Sequence, residues 1–419
     1  MAGTLGIQAG KRAMAASANE RIHVAVIGCG GQGHGAHLRG FPADQNAEVL
    51  YVCDPDVSRR EEAARSSQRA KPVDDLRRIL DDPQIDAVTI ATPDHWHVPA
   101  ALLAMDAGKH VYVEKPCSHN LHEGQLLVSA AARTGMIVQH GTQARSTPGF
   151  QEAVQMLREG EIGEVLVARV WNIQRRNDIG RDQPSDPPAG FDYDLWLGPA
   201  PYVPFQANRH HYNWHWWYDF GTGDTGNDGV HELDMARWGL GVTAQPHRVS
   251  AVGGKYFFDD DQQFPDTMTA TFEFGGTNQR AKQIVYEMRL WSTNYPEGVD
   301  NGIEFLGTQG KMFFSRRGKF WILGERNERR PLTPRNELRW DVSRNLTDWL
   351  NAIRGNNAPA APAEEAHLSA SLCHLANLAV RTKRSIEFDP VTETISNDPD
   401  ANALLGRTYR EDHWAVPKG

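Results

Sequence analysis

Residues 22–33 read Ile22-His23-Val24-Ala25-Val26-Ile27-Gly28-Cys29-Gly30-Gly31-Gln32-Gly33. An apolar run of strand length feeds a turn carrying three spaced glycines, and a helical pattern follows. Each glycine has a task in holding a dinucleotide. Gly28 permits the tight turn, Gly30 lets the backbone approach a pyrophosphate, and Gly33 allows close packing of a helix whose N-terminal N–H groups face the anion. The next strand runs from Glu48 to Cys53 and ends on Asp54. That places a carboxylate about 20 residues beyond the glycines, where it can accept both hydroxyls of a ribose. Alone, the glycine turn is a weak signal. Between two strands and followed by this acid, it predicts a dinucleotide site with Gly28, Gly30, Gln32, Gly33 and Asp54 as contacts. A carboxylate at position 54 would repel a 2′-phosphate, which favours NAD over NADP. Arg59 and Arg60 lie just beyond, and either could fold back onto a phosphate.

The same alternation continues down the chain. Strand-like runs occupy 22–28, 48–53, 85–91, 110–114 and 136–140, with helical patterns near 33–41, 58–69, 74–81, 97–107 and 120–134. Alternating β and α of these lengths predicts a doubly wound parallel sheet, an α/β Rossmann domain spanning 21–147. From 148 to 419 the pattern changes. Longer alternating strands read at 163–174, 247–258, 266–275, 280–291 and 303–315, with helices at 149–159, 228–240 and 343–354. This predicts an α+β domain on a large, open, mostly antiparallel sheet. Such a broad face is expected to be buried against a second copy, giving a homo-oligomer. Between the strand at 163–174 and the helix at 228–240, 175–224 is a long loop rich in Pro, Trp and Asp. Loops of that length in compact domains are usually functional or interfacial.

Composition narrows the partners. A net charge of −9 without a basic cluster argues against nucleic acid. No apolar run approaches the roughly 20 residues of a membrane span. Cys29, Cys53, Cys117 and Cys373 are widely spaced and form no C-x-x-C pair, so neither a disulfide framework nor a metal site is expected. Residues 1–20 are Ala- and Gly-rich without periodicity, and Ala16-Ser17-Ala18 resembles a cleavage site. They read as a flexible extension or the tail of an export signal, the latter implying the periplasm and the former compatible with the cytoplasm.

Three segments carry polar groups suited to chemistry. Glu114-Lys115-Pro116 ends the fourth predicted strand, and ligands of open parallel sheets bind beyond such ends. That makes Glu114 and Lys115 candidates for cofactor contact near the nicotinamide, and a lysine there can act as acid or base when partly desolvated. Thr92, Pro93 and His97 end the third predicted strand in the same way and are candidates for cofactor contact. The densest segment is 209–238. On a regular helix Asn227 and His231 share a face and could reach one substrate hydroxyl, and His231 has the natural pKa for proton transfer. Arg209, His215, Trp217 and Asp228 are further candidates for substrate contact, the aromatics by stacking on a sugar face. On a regular helix Asp228 would point elsewhere.

The turn GCGGQG, the runs ATPDHWH, EKP and WLGPAP, and GTGDTGNDGVHELDMARWGLG together resemble the Gfo/Idh/MocA family of sugar and cyclitol oxidoreductases. The likeness runs over nearly the whole chain from residue 21. It implies a Rossmann domain followed by an open-sheet substrate domain that often mediates oligomers, here a dimer or tetramer. It also implies that Lys115 and His231 sit at a hydride-transfer site, with NAD as cofactor and a carbohydrate or cyclitol as substrate. One departure stands out: the family's usual Asp four residues before the histidine is Asn227 here, and an amide cannot take a proton. Two alternatives share these parts. One is a glycoside hydrolase that oxidises its substrate transiently and eliminates the aglycone. The other is an NAD-binding sensor without turnover.

Overall fold

The computed structural model describes residues 21–41, 46–67, 69–275 and 280–418. The candidate leader at 1–20 lies outside them. Six strands build the first sheet: β1 (Ile22–Ile27), β2 (Ala47–Cys53), β3 (Lys71–Val73), β4 (Ala87–Ile90), β5 (His110–Val113) and β6 (Val138–His140). They run parallel in the order β3-β2-β1-β4-β5-β6. The central strand β4 is buried at every position, as a strand covered by helices on both faces must be. Order reverses between β1 and β4, and that switch point opens a crevice beyond the strand ends.

Strand β3 is not foreseen in the sequence. It is three residues long, two of them exposed, and contains Pro72. Proline has no N–H to donate to a ladder, so this run survives only at the sheet edge.

The second sheet has ten strands: β7 (Val165–Asn172), β8 (Arg248–Gly254), β9 (Thr267–Phe274), β10 (Lys282–Arg289), β11 (Asn301–Gly307), β12 (Gly310–Phe314), β13 (Phe320–Leu323), β14 (Arg329–Arg330), β15 (Ile386–Asp389) and β16 (Thr394–Ile395). Their order is β14-β13-β12-β11-β7-β10-β9-β8-β15-β16. All pairs are antiparallel except β7 with β10, so the sheet is mixed and mostly antiparallel. The single strand expected at 303–315 is a hairpin, β11 and β12 closing through Gly307 and Gly310. Its two-residue turn, Thr308-Gln309, lacks the Asn-Gly type of signal that marks most such turns.

Chain beyond residue 340 returns to the first sheet. Helix Val342–Ile353 packs Leu346, Trp349, Leu350 and Ile353 on Ile22, Val24, Ala87 and Tyr112. A 20-residue helix, Ala363–Thr382, was not expected. It sends Ala363, Ala366 and Ala370 into the first core and Leu372, Leu375, Ala376 and Ala379 into the second. A helix buried between two bodies shows no single apolar stripe, which hides it from a periodicity reading.

The long loop closes over the crevice. Its aromatics Phe191, Tyr193, Trp196, Phe205, Trp217 and Phe220 form a small core of their own. Val57 N donates to Gly190 O at 2.9 Å, and Trp96 Nε1 donates to Trp196 O at 2.9 Å. These bonds fasten the loop to the nucleotide domain.

Candidate active site

A cavity of about 410 Å³ lies between the strand ends of the first sheet and this loop. Its nucleotide end is made by sterics. Gly28 has φ +89°, and a Cβ there would stand 2.5 Å from Ala91 O. A Cβ on Gly33 would come within 1.8 Å of Gly28 O. Only glycine fits at either place. Gly31, by contrast, faces open space, so backbone of the turn is bare toward the cavity. Asp54 lines the wall with Oδ2 accepting from Cys29 N at 2.8 Å and Oδ1 from Asp56 N at 2.9 Å. These bonds fix its carboxylate and leave lone pairs for further donors. Arg59 swings over the turn, its Nη1 3.0 Å from where a Gly30 Cβ would be. Arg60 turns away and donates to Asp54 O at 3.1 Å.

NAD fits this end on the structure's own terms. The glycine turn is open to a pyrophosphate, Asp54 presents acceptors, and Thr92 Oγ1 is buried with no protein partner. Gln32 and Glu114 meet between the turn and β5. Glu114 Oε1 accepts from Gln32 Nε2 at 2.9 Å and His37 Nε2 at 2.9 Å. Burial works to raise the Glu114 pKa, but His37, Lys115 and Gln32 outweigh it and bring it to about 2. The anion is thus permanent. His97 stands between Pro116 O at 2.6 Å and Thr92 O at 2.9 Å. Burial lowers its pKa to about 4, so the neutral ring donates to one of these carbonyls and packs against the other, between the loops that carry Thr92 and Lys115.

Side chains from distant segments meet at the other end. Lys115 Nζ donates to Asn227 O at 2.7 Å and lies 3.3 Å from Asn227 Oδ1. The peptide bond Lys115–Pro116 is cis. Asn227 Nδ2 donates to Asp224 Oδ1 at 3.1 Å and approaches Tyr212 OH at 3.4 Å. Arg176 bridges Asp224 and Asp228 at 2.7 and 2.6 Å, and Arg316 Nη2 reaches Asp228 Oδ1 at 3.2 Å. Burial opposes the Asp228 anion, yet Arg316, Arg176 and Lys115 hold its pKa well below the ordinary carboxylate value. Asp224 goes the other way, because burial raises it more than Arg176 lowers it.

Two imidazoles accompany Lys115. His215 is on the cavity wall, with Nδ1 against Tyr212 O in a short contact. A carbonyl oxygen can only accept, so Nδ1 carries the proton and Nε2 the lone pair. Burial, then the Lys115 charge, drive the His215 pKa well below its usual value. His231 does not line the cavity. It sits one layer behind, its ring edge-on to Trp340 at 4.5 Å and Nδ1 buried without a partner. Burial, Arg316 and Lys115 together keep it neutral. Tyr212 has φ +59°, rare for a non-glycine residue, and this conformation is what aims its carbonyl at His215.

The cavity therefore gathers Gly28, Gly30, Gln32, Asp54, Thr92, Pro93, His97, Glu114, Lys115, His215 and Asn227 from the sequence reading. Gly33 stands just behind, as its packing task requires. Arg209 and Trp217 are elsewhere. The Arg209 guanidinium stacks on Trp217 at 4.3 Å and donates to Pro204 O at 2.9 Å inside the loop's aromatic core. There the pair shapes the loop and presents neither charge nor ring face to the cavity. Asp228 also differs from expectation. Thr225–Gly229 is a π-type turn ahead of helix Val230–Leu240, so regular helical spacing fails and Asp228 joins the Arg176–Arg316 network.

Four residues of the site escaped the sequence reading: Asp94, Arg176, Asp224 and Arg316. Asp94 lay inside a quoted run; its place directly after the β4 end was the available signal. Asp224 likewise stood in the glycine-rich run before Asn227, and Arg176 and Arg316 depend on tertiary contacts that leave no signal. No metal was expected, and one cluster bears on that. Ligand atoms of Asp56, His210 and His211 lie within 4.8 Å of one another; His211 Nε2 meets Asp56 Oδ2 at 2.9 Å and so ties the loop to the nucleotide domain. All four cysteines are free and buried. Among the described residues, no helix is long and apolar enough to cross a membrane.

Comparison with known proteins agrees with this architecture. The Gfo/Idh/MocA model described as "Oxidoreductase family, NAD-binding Rossmann fold" matches residues 22–142, and its companion, "Oxidoreductase family, C-terminal alpha/beta domain", matches 171–416. The chain is 27% identical to inositol 2-dehydrogenase 2 of Saccharopolyspora erythraea, over 88% of this chain and 96% of that one. It is 26% identical to scyllo-inositol 2-dehydrogenase (NAD(+)) of Bacillus subtilis, over 70% and 73% of the two chains. Among solved structures, levoglucosan dehydrogenase in complex with NADH and levoglucosan aligns with a TM-score of 0.67. That match has 20% identity and covers 88% of this chain and 99% of that one, a likeness of fold.

Proposed function

Because the chain belongs to the Gfo/Idh/MocA oxidoreductase family, we propose that it is an NAD-dependent dehydrogenase acting on a hydroxyl of a carbohydrate or cyclitol. The observation that carries this reading is Lys115: its ammonium reaches the cavity wall, pinned by both oxygens of Asn227. The inositol dehydrogenases named above support the substrate class. Gly28, Gly30, Gln32 and Asp54, with Thr92, Pro93, His97 and Glu114, would hold the cofactor. When bound, NAD supplies the hydride acceptor.

The residues manage position and protons. Lys115 hydrogen-bonds the reacting hydroxyl and, with His231 behind it, controls the proton released. His215, its lone pair turned from Tyr212, accepts from a second hydroxyl or takes the proton itself. Asn227 cannot ionise, so it orients Lys115 where an aspartate would also charge-pair with it. Asp228 sets the field of the network, and the loop excludes water. Neither the hydrolase nor the sensor alternative gains an observation here.

The test uses purified protein. It is denatured, any released nicotinamide is identified, and native protein is assayed for NADH with free sugars, cyclitols and glycosides. NADH formed with a polyol or sugar supports the reading. Aglycone release without net NADH, or bound NAD with no turnover on the whole panel, overturns it.

Two further parts of the reading concern assembly and place. The outer face of β8 and β9, where Val252 and Thr269 are exposed, is the surface for a dimer or tetramer; light scattering that gives a monomer would remove it. If residues 1–20 serve export, the protein is periplasmic, and if they are a plain extension it is cytoplasmic; fractionation and N-terminal sequencing distinguish the two.

A further inference from the structure

A second cavity, about 100 Å³, lies on the far side of the turn at Thr222 from the candidate active site. Among its lining residues are polar side chains with hydrogen-bonding capacity that the protein leaves unused. His119 is 9% exposed and Asn120 6%. Asn120 Nδ2, Asn377 Oδ1 and Arg407 Nη1 have no protein partner among the described residues, and the His119 ring reaches only the backbone of Tyr218. Unpaired buried polar atoms cost about 1–3 kcal/mol each, so three on residues around one small space mark a place shaped for something polar.

The charge there is positive. Arg407 is matched by Glu123, which it contacts at 2.7 Å. Tyr409 OH also donates to Glu123 Oε1 at 2.8 Å, so that carboxylate is fully engaged. Arg381 stands at the rim, its guanidinium 4.4 Å over the Tyr218 ring, and makes no ion pair among the described residues. The cavity also meets the N-terminal end of helix Leu121–Thr134, capped by Asn120, whose dipole adds to the positive field.

We propose that this cavity binds inorganic phosphate in its hydrogen-bearing form. The lining mixes donors and acceptors. Arg407 Nη1, Asn120 Nδ2 and Arg381 can donate to phosphate oxygens. Asn377 Oδ1 can only accept, and a neutral imidazole at His119 that donates to the Tyr218 backbone keeps one lone pair. Hydrogen phosphate satisfies both kinds, because it accepts through its bare oxygens and donates through its O–H. Sulfate carries no proton and would set a lone pair against Asn377 Oδ1. Phosphate monoesters lose their second proton at a pKa of about 6 and fail in the same way above neutrality. The site is also joined to the larger cavity. Asn377 Nδ2 donates to Thr222 O at 2.7 Å, and Thr222 Oγ1 to Asp94 Oδ2 at 2.6 Å. The proposal does not rest on the dehydrogenase reading.

The experiment is calorimetric titration of the full chain, saturated with NAD so that the glycine turn is occupied, in a phosphate-free buffer at a pH of about 8. One phosphate is expected to bind per chain. Sulfate and methyl phosphate should bind at least ~10-fold more weakly, the scale of one unpaired buried acceptor. Arg381→Ala, at an exposed position, should weaken phosphate at least ~5-fold while NAD affinity stays unchanged. Absence of phosphate binding (a cavity holding water alone), equal affinity for sulfate, or indifference to Arg381→Ala would each overturn the proposal.

Discussion

The two ends of the large cavity are built by different means. At the nucleotide end, contiguous backbone does the work: glycines at 28 and 33, a bare turn, and one acid at 54 whose oxygens are tied to neighbouring N–H groups. At the substrate end, Lys115, Arg176, Tyr212, Asn227 and Arg316 come from five separate stretches and meet through hydrogen bonds. Local sterics govern the first and long-range polar pairing the second. Substitutions should therefore separate cleanly. Those at the first end alter cofactor affinity, and those at the second alter turnover.

Lys115→Ala gives the largest expected effect. Losing an acid–base group costs about 100-fold or more in turnover, whereas NAD affinity should stay within ~2-fold, since Lys115 bonds only to Asn227 oxygens. Steady-state kinetics with cofactor binding by fluorescence decide it. A parallel loss of NAD affinity would dissolve the distinction between the ends.

Gly33→Ala comes second. Its new Cβ would stand 1.8 Å from Gly28 O, and relieving such a clash in a packed place costs about 1–3 kcal/mol. The NAD dissociation constant should rise ~10- to 100-fold, with kcat at saturating NAD little changed. Unaltered affinity would show that the turn does not hold the cofactor.

These contrasts also explain what the sequence disclosed. The turn, Asp54 and the alternating strands follow period and spacing along the chain, and all were legible. So was Lys115, because strand ends of parallel sheets face the crevice. The placement of the two histidines was not. His231 was singled out by a helical spacing that the π-type turn at Thr225–Gly229 breaks. His215 owes its place to the unusual backbone of Tyr212, which no residue pattern announces. Arg209 and Trp217 looked like site residues because aromatics and cations also stack on each other inside a loop core. Helix Ala363–Thr382 stayed hidden for lack of an exposed face.

The histidines give the third test. His215→Gln removes a lone pair on the cavity wall, and ~10-fold losses in kcat/KM are expected, mostly through KM if it binds a substrate hydroxyl. His231→Gln should act through Lys115 and lower kcat with KM near normal. The opposite split would move the proton-handling role from the second layer to the wall.

Asp94 gives the smallest effect and the sharpest link between the ends, since it lines the cavity beside Lys115 and is held by Thr222 at 2.6 Å. Burial raises its pKa to about 7, against the hydrogen bond from Thr222 and the charge of Lys115. The folded value is above the unfolded one, so the folded protein holds an extra proton between the two. Stability should then fall as pH rises from about 4 to about 7 and level off beyond, the reverse of a paired carboxylate. Glu232, likewise raised to about 7 by burial against Arg316, titrates in the same window, so only the difference from a variant isolates Asp94. Asp94→Asn keeps the shape and removes the titration. Relative to this variant, the native chain should lose melting temperature between pH ~4 and ~7 and run parallel to it above, and its kcat should gain a few-fold rise through neutrality as an anion appears near Lys115. Parallel curves for the two proteins in both measurements would mean that Asp94 stays in one protonation state and couples nothing to Lys115.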